Sequence, residues 1–486
     1  QFLCGAYRHP GVLFCQGRAL RSQQGVHQGC PLGPVAFAVG LQPAVTQCLA
    51  EIFPPLGEDS MGVDGDSTGL AWGCFYLDDG VLCGPVPRLG AALDAFTTAA
   101  GGRGAEVRLE KCHLWGPGLM SPNPPSARLS AIPATPFVPG SGLEVLGLPV
   151  SHSGSFIGEA FERAVGRQAP LLQLVRDLPN PGCRLSLLRG CLDACRLQFL
   201  LRGASGCHAL PFLQASSKGI RRVLDDILGV SVGAPQWDQA TAPVRHGGLG
   251  LKCPLRIQPE VRISGILSFL QRAGDLVGCP GELCSTPPSD MVGVIRDLRG
   301  ILGPEFEPLQ GWSSGGLGTV QSEVRSERKL ASQRWWGEHV ATARKSALHS
   351  QGSLRDQARR HFQAMAHCGD WLQSPLGCGE DGELGGPDLR LALRWWLGLP
   401  IISHQAVGQP CPSCGDSLDC LGDHLVTCTK SRMGDRHNGV LAVLACICSQ
   451  ANIPHRVEAR AIGLSRPADI LVLGWEHGKP GALDLQ

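Results

Sequence analysis

Apolar and polar positions repeat along the chain with two different periods, and the changes of period mark out its elements. The run Cys74-Phe-Tyr-Leu-Asp-Asp-Gly-Val-Leu-Cys83 sets apolar and aromatic residues on either side of two adjacent carboxylates, with a glycine straight after. This pattern predicts a β-hairpin whose tight turn displays Asp78 and Asp79. Elsewhere the period is helical. Ala36 to Phe53 is apolar at that spacing and stops at Pro54-Pro55, and Leu89 to Gly101 is a second amphipathic helix with Leu93, Ala95 and Phe96 toward a core. Gln1 to Arg18 reads as a helix entering a short strand. Phe156 to Leu178, Cys183 to Arg202 and Leu210 to Leu228 read as three further helices, the second with Leu185, Leu188, Leu192 and Cys195 on one face. Glu323 to Phe362 reads as one long helix carrying Trp335 and Trp336. Loops fall at Gly57 to Gly69, Ser121 to Gly142 and Ser374 to Pro387, where Gly, Pro and Ser collect.

Composition changes this picture only in places. A chain of 486 residues has room for two to four domains, and 43% hydrophobic with 17% charged residues describes globular structure rather than wholesale disorder. The net charge of +1 gives no global nucleic-acid signature, so such binding must depend on where charges cluster. Basic residues are nearly all arginine, which suits phosphate and which a GC-rich coding bias would equally produce. The 22 cysteines come without a signal peptide and read as reduced, buried small hydrophobes except for one cluster. No apolar run reads as a membrane span, so no membrane partner is expected. The chain opens on Gln1 and stops in a strand-like stretch at Gln486, which suggests a piece of a larger reading frame.

Candidate chemistry lies in three places. Two like charges side by side stay ionised only beside cations or in water, so Asp78 and Asp79 are either a solvated turn or a site for a pair of Mg²⁺ ions. Upstream, Ser22-Gln-Gln-Gly25-Val-His-Gln28-Gly29-Cys-Pro31-Leu-Gly33-Pro34 is dense enough in glycine and proline for a rigid loop that admits another backbone or a base pair before a helix begins. Near the C-terminus, Cys411-Pro-Ser-Cys414 and His424-Leu-Val-Thr-Cys428 have zinc spacing, two thiolates from a knuckle and two ligands one helical turn apart, with Cys420 as a competing thiol. Beyond it, Arg436-His-Asn438, His455-Arg-Val-Glu458, Arg466-Pro-Ala-Asp469 and Leu483-Asp484 set carboxylates beside β-rich apolar segments, as a metal-dependent nuclease core requires. In such a core Asp469 and Asp484 could hold Mg²⁺, with Glu458 assisting from a neighbouring helix or strand.

In order and spacing, the loop at 22–34, the hairpin at 74–83, Leu109-Glu-Lys111-Cys and Leu146-Gly147-Leu-Pro149 resemble the palm of reverse transcriptases from non-LTR retrotransposons. The tail, with its Cys-Cys-His-Cys knuckle, Arg436-His437-Asn438 and Arg466-Pro467-x-Asp469, resembles the restriction-like endonuclease of the site-specific members of that group. The resemblance implies an α+β multidomain chain: an N-terminally truncated palm over 1–150 (antiparallel sheet with helices), a helical thumb-like region over 151–260 and a helical linker over 261–400. The zinc knuckle and a C-terminally truncated α/β nuclease core would occupy 401–486. It implies Mg²⁺ at both acidic sites, structural Zn²⁺, and template or nucleotide contacts at Gln28, Gly29, Pro31 and Gly33. Lys111 becomes the proton donor to leaving pyrophosphate. Partners would be an RNA template, a DNA target and primer, and deoxynucleoside triphosphates, in the nucleus. By the resemblance, the third palm aspartate would lie upstream of residue 1 and the nuclease base beyond Gln486, so the chain as given should not polymerise. Two departures stand out: Cys30 where Asp is common, and Arg108-Leu-Glu where Asn is usual. They leave open a decayed or domesticated copy that binds nucleic acid without catalysis.

Three further signals have two readings. Arg184, Arg189, Arg196, Arg202, Arg221 and Arg222 suit phosphate or an ordinary solvated helix face. Residues 323–362 carry nine Arg/Lys against four Asp/Glu, as a nucleic-acid face or a soluble helix would. Ala242-Pro-Val-Arg-His-Gly-Gly-Leu-Gly250-Leu251 resembles a segment that follows the thumb in these elements, with no chemical role assigned. Asp64 and Asp66 read as solvated turn residues, as does Lys479.

Overall fold

The computed structural model describes residues 11–22, 25, 26, 30–52, 72–117, 126–277, 290–310, 312, 326–373, 386–428, 430, 433–459, 468–476 and 479–483. The chain divides into two compact units, residues 1–384 and 385–486. The class is α+β, helix-rich with small antiparallel sheets and one parallel pair.

In the first unit, β1 (Gly11–Cys15) and β2 (Arg18–Ser22) form an antiparallel hairpin, where the helical period had suggested helix. The reason is local: Gln16 and Gly17 take φ of 50° and 78°, the paired left-handed conformation of a two-residue hairpin turn. Next come α1 (Gly33–Ile52), β3 (Trp72–Tyr76), β4 (Asp79–Cys83) and α2 (Val86–Gly101). Cys48 and Ile52 of α1 meet Ala92 of α2 in a core that Phe75, Leu82 and Phe96 close. Each large apolar side chain buried there contributes about 1.5–3 kcal/mol. By length and composition α1 could cross a membrane, which the sequence reading had not found. Its Leu41, Ala44 and Val45 are buried with Ala99 and Ala100 of α2, while about a quarter of its apolar window is buried overall (28%). Short pairs follow: parallel β5 (Leu114–Trp115) with β6 (Ala134–Thr135), and antiparallel β7 (Leu143–Val145) with β8 (Leu148–Val150), the last turning at Leu146 and Gly147. A one-turn helix, Ala127–Ser130, interrupts the expected extended loop at 121–142.

The rest of this unit is helical: α3 (Gly154–Arg176), α4 (Pro181–Leu187), α5 (Gln198–Gly203), α6 (Leu210–Leu228) and α7 (Ala234–Ala240). Four more follow, α8 (Pro254–Val277), α9 (Met291–Leu302), α10 (Gln333–His349) and α11 (Leu354–Gln363). The helix read over Cys183–Arg202 is broken at Asp193, which is fully buried. Its carboxylate accepts from the amides of Cys195 (2.9 Å) and Lys252 (3.1 Å), bonds that a continuous helix could not make. Gln168 completes the break by donating to the carbonyls of Leu192 and Asp193 at 2.7 and 3.2 Å. The long helix read over Glu323–Phe362 is likewise two. Gly352 turns the chain at φ 84°, and Ser353 starts α11 with a capping box to Asp356. At the centre α8 packs Ile263, Ile266, Leu267 and Leu270 against Met291, Val294 and Leu298 of α9 and Trp336 of α10. It approaches α5 so closely that a Cβ at Gly265 would run into the carbonyl of Arg202.

The second unit holds α12 (Gly386–Leu397), the knuckle, α13 (Asp423–Thr427), α14 (Met433–Gln450) and three strands, β9 (His455–Ala459), β10 (Ala468–Glu476) and β11 (Lys479–Leu483). The sheet is antiparallel with β10 in the middle, and Leu441 and Leu444 of α14 cover its Ile470 and Val472.

Candidate functional site

The register Tyr76↔Asp79 and Phe75↔Gly80 leaves Leu77 and Asp78 as the two turn residues of the β3–β4 hairpin. Leu77 sits at φ 57°, a conformation that a branched side chain adopts only when its surroundings enforce it. Phe75 anchors the strands below the turn: its ring lies 5.0 Å from Phe96 and covers Gly80, where a Cβ would come within 2.5 Å of it. Asp78 and Asp79 therefore project, both exposed, from a tip whose base is fixed. Neither forms an ion pair among the described residues. Such a pair of acceptor-only groups is suited to hard cations.

Of the loop residues, Gln28 and Gly29 lie outside the described residues. Pro31 is exposed and Gly33 is buried at the first turn of α1, its amide donating to Cys30 at 3.0 Å. Lys111 is exposed on a single 3₁₀ turn, Leu109–Lys111. Leu109 and Cys112 beside it pack on Leu93 of α2. The α1–α2 pair thus carries the exit of the glycine loop, the acidic hairpin and the lysine segment together.

Among the described residues, one group of four His and Cys side chains is placed to hold a metal ion. Ligand atoms of Cys411, Cys414, His424 and Cys428 all lie within 4.8 Å of one another. Cys411 and Cys428 Sγ are 3.9 Å apart, and Cys414 Sγ is 3.1 Å from His424 Nε2. The knuckle closes because Gly415 at φ 87° lets its amide donate to the Cys411 carbonyl at 2.9 Å. The amides of Ser413 and Cys414 aim at Cys411 and bring its thiol down to about 6. At Cys414 the Asp416 amide acts in the same direction, but burial and the neighbouring Cys428 and Cys411 outweigh it and raise the thiol to about 11. A thiolate is thus favoured at Cys411, while the Cys414 thiol stays protonated until a cation arrives. Asp419 fixes the remaining ligands by accepting from the amides of Leu421, Asp423 and His424 at 2.9, 3.1 and 2.7 Å, so that α13 starts with His424 facing the knuckle. Burial raises the Asp419 carboxyl, but those three amides outweigh it and hold it below its ordinary range. Cys420 is elsewhere, its carbonyl accepting from Ile401 and Ile402. Three soft thiols and one imidazole fit Zn²⁺ with no open position, which is a structural arrangement.

Farther along the same unit, His437 Nε2 on α14 lies 3.3 Å from Asp469 Oδ1 on β10. A hydrogen bond to Asn438 and the Asp469 and Glu458 carboxylates together raise the His437 ring above its ordinary value. Glu458 is exposed and sits at φ 48°, between the paired residues Val457↔Ile470 and Ala459↔Ala468. The β9–β10 register therefore brings Glu458 and Asp469 to one place, and His437 joins them. The motif Arg436-His-Asn was legible in the sequence, but no role for the histidine was read from it. Asp484, Arg466 and the side chains of Arg436 and Lys479 lie outside the described residues, as do Asp64 and Asp66.

Five of the six thumb-region arginines engage the protein itself. Arg184 donates to the Leu178 carbonyl, Arg189 to Leu372, Arg196 to Cys191, Arg202 to Ser268 and Arg221 to Val232. Arg359 and Arg360, counted in the basic run at 323–362, are buried and donate to Gln239 and Gln363 and to the carbonyls of Leu348 and Gln351. No protein-family model matches this chain, and neither does any curated protein.

Proposed function

We propose that this chain is part of a retroelement RNA-directed DNA polymerase fused to a DNA-nicking endonuclease, acting by target-primed reverse transcription. One observation carries the reading: two adjacent, exposed carboxylates on a hairpin tip share a helical platform with Gly33, at the start of α1, and Lys111. In this reading Asp78 and Asp79 hold Mg²⁺, which when bound stabilises charge on the attacking 3′-oxygen and the leaving pyrophosphate. Lys111 donates a proton to that pyrophosphate, and Gln28, Gly29, Pro31 and Gly33 line the incoming base pair. In the second unit Asp469, Asp484 and Glu458 hold Mg²⁺ for nicking, and His437 orients Asp469. Zn²⁺ at Cys411, Cys414, His424 and Cys428 braces the segment that leads into α14.

The test is Mn²⁺ binding, read by electron paramagnetic resonance, to the full chain with a recessed RNA–DNA primer-template and one deoxynucleoside triphosphate. Asp78→Asn with Asp79→Asn should abolish a saturable Mn²⁺ class while leaving the melting temperature and zinc content unchanged. Mn²⁺ binding that is indifferent to both substitutions sinks the polymerase assignment. Metal-independent nucleic-acid binding would then favour a copy retained only for binding.

A further inference from the structure

The segment Ala242–Leu251 forms one wall of a cavity of about 750 Å³ within the helical part of the first unit. The wall is rigid by construction. Gly247 and Gly250 take φ of 80° and 74°, and the Gly248 and Gly250 amides donate to the Pro243 and Ala242 carbonyls at 3.1 and 2.9 Å. Behind it, buried Gln239 donates to the Gly247 carbonyl at 2.9 Å and to Gln363 at 2.8 Å. Such bracing fixes the positions of whatever faces the cavity.

Its charged lining is mostly cationic. Six basic side chains, Arg189, Arg245, Lys252, Arg256, Arg334 and Arg344, line the space against three carboxylates, Asp238, Glu260 and Glu338. The carboxylates only partly engage the guanidinium groups. Arg256 pairs with Asp238 and Arg245 with Glu338, while Arg344 donates to the Arg256 carbonyl at 2.8 Å and Arg189 to that of Leu372. Each of these contacts uses one nitrogen of a fork that carries five N–H groups. No aromatic ring lines the space, so nothing there can stack a base, whereas guanidinium forks match phosphate oxygens in geometry. The volume lies within the usual range for small-molecule sites. Six basic side chains against three carboxylates leave the lining with an excess of positive charge, and burial depresses Arg344 although Glu260 opposes it.

We propose that this cavity binds the phosphate groups of an oligophosphate ligand, through Arg344, Arg256, Arg189, Lys252 and Arg334. The phosphates could belong to a free di- or triphosphate or to consecutive units of a nucleic-acid strand. The test is calorimetric titration of the full chain with tripolyphosphate, with sulfate as control, followed by competition with a ten-nucleotide single-stranded RNA. Lys252→Gln with Arg334→Gln alters two exposed side chains and should leave the melting temperature unchanged while weakening tripolyphosphate at least tenfold. Arg344→Lys keeps the charge but loses the fork, and should weaken it further. RNA that displaces tripolyphosphate assigns the site to a strand, and RNA that does not assigns it to a free oligophosphate. Absence of saturable tripolyphosphate binding, or equal affinity in the folded double variant, overturns the proposal.

Discussion

The metal cluster allows the most quantitative test. Zinc–sulfur bonds of about 2.3 Å and zinc–nitrogen bonds of about 2.0 Å require tetrahedral edges of roughly 3.5–3.8 Å. The ligand atoms lie within 4.8 Å of one another, with Cys411 and Cys428 already at 3.9 Å, so closure onto an ion needs shifts of less than about 1 Å. Binding to the folded unit alone stabilises it by about 2.7 kcal/mol when free zinc is a hundredfold above its dissociation constant. For a unit the size of residues 385–486, each kcal/mol moves the melting temperature by about 4–8 °C, so a strong chelator should lower this unit's transition by roughly 10–20 °C. Scanning calorimetry of the full chain, with zinc quantified after thiol modification, reads both. The expected stoichiometry is one ion per chain, lost in Cys428→Ser and kept in Cys420→Ser. A chelator-insensitive transition in protein that carries no zinc, or equal loss in both variants, would refute the ligand assignment.

Two further outcomes follow from packing and charge. Gly80→Ala should cost about 1–3 kcal/mol, because its Cβ meets the Phe75 ring at 2.5 Å and the ring must move off Phe96. Gly40→Ala, with nothing within 4 Å on an exposed helix face, should gain about 0.5–1 kcal/mol, and urea midpoints separate the two. Burial raises Glu260 from 4.5 to about 7 despite Arg344. The folded state therefore binds a proton that the unfolded state has released between those values. Stability should be greatest below about 4.5 and fall as the pH rises toward about 7, by at most roughly 3 kcal/mol from this group. Glu260→Gln should flatten that slope in denaturation at pH 5 and pH 8, and an unchanged slope would contradict the assignment.

Local patterns were legible where one principle dominated. The hairpin at 74–83 and the helix Leu210–Leu228 follow from their periods and the knuckle from ligand spacing, although the hairpin's turn falls on Leu77-Asp78 and Asp79 is already paired with Tyr76. The break at Asp193 was not legible, because its partners Lys252 and Gln168 are distant in sequence and only tertiary contact reveals them. The second break had a local signal, Ser353-x-x-Asp356 after Gly352, which the uninterrupted run of charges obscured. Arginine clusters were ambiguous for a related reason. Composition cannot distinguish Arg360, buried against two carbonyls, from Arg334, exposed at a cavity mouth. The grouping of Glu458, Asp469 and His437 depends on strand register, which a single sequence specifies only through the buried face of β10.

The polymerase–nuclease reading is tested most directly by locating its metals. Fe²⁺ bound in place of Mg²⁺, with ascorbate and peroxide, cuts the polypeptide beside the ion, and sequencing the fragments maps each site in the zinc-loaded chain. Cleavage at residues 76–80 and near 458 and 469 is expected, the first lost in Asp78→Asn with Asp79→Asn and the second in Asp469→Asn. Cleavage that avoids both places, or that persists through those substitutions, would contradict it.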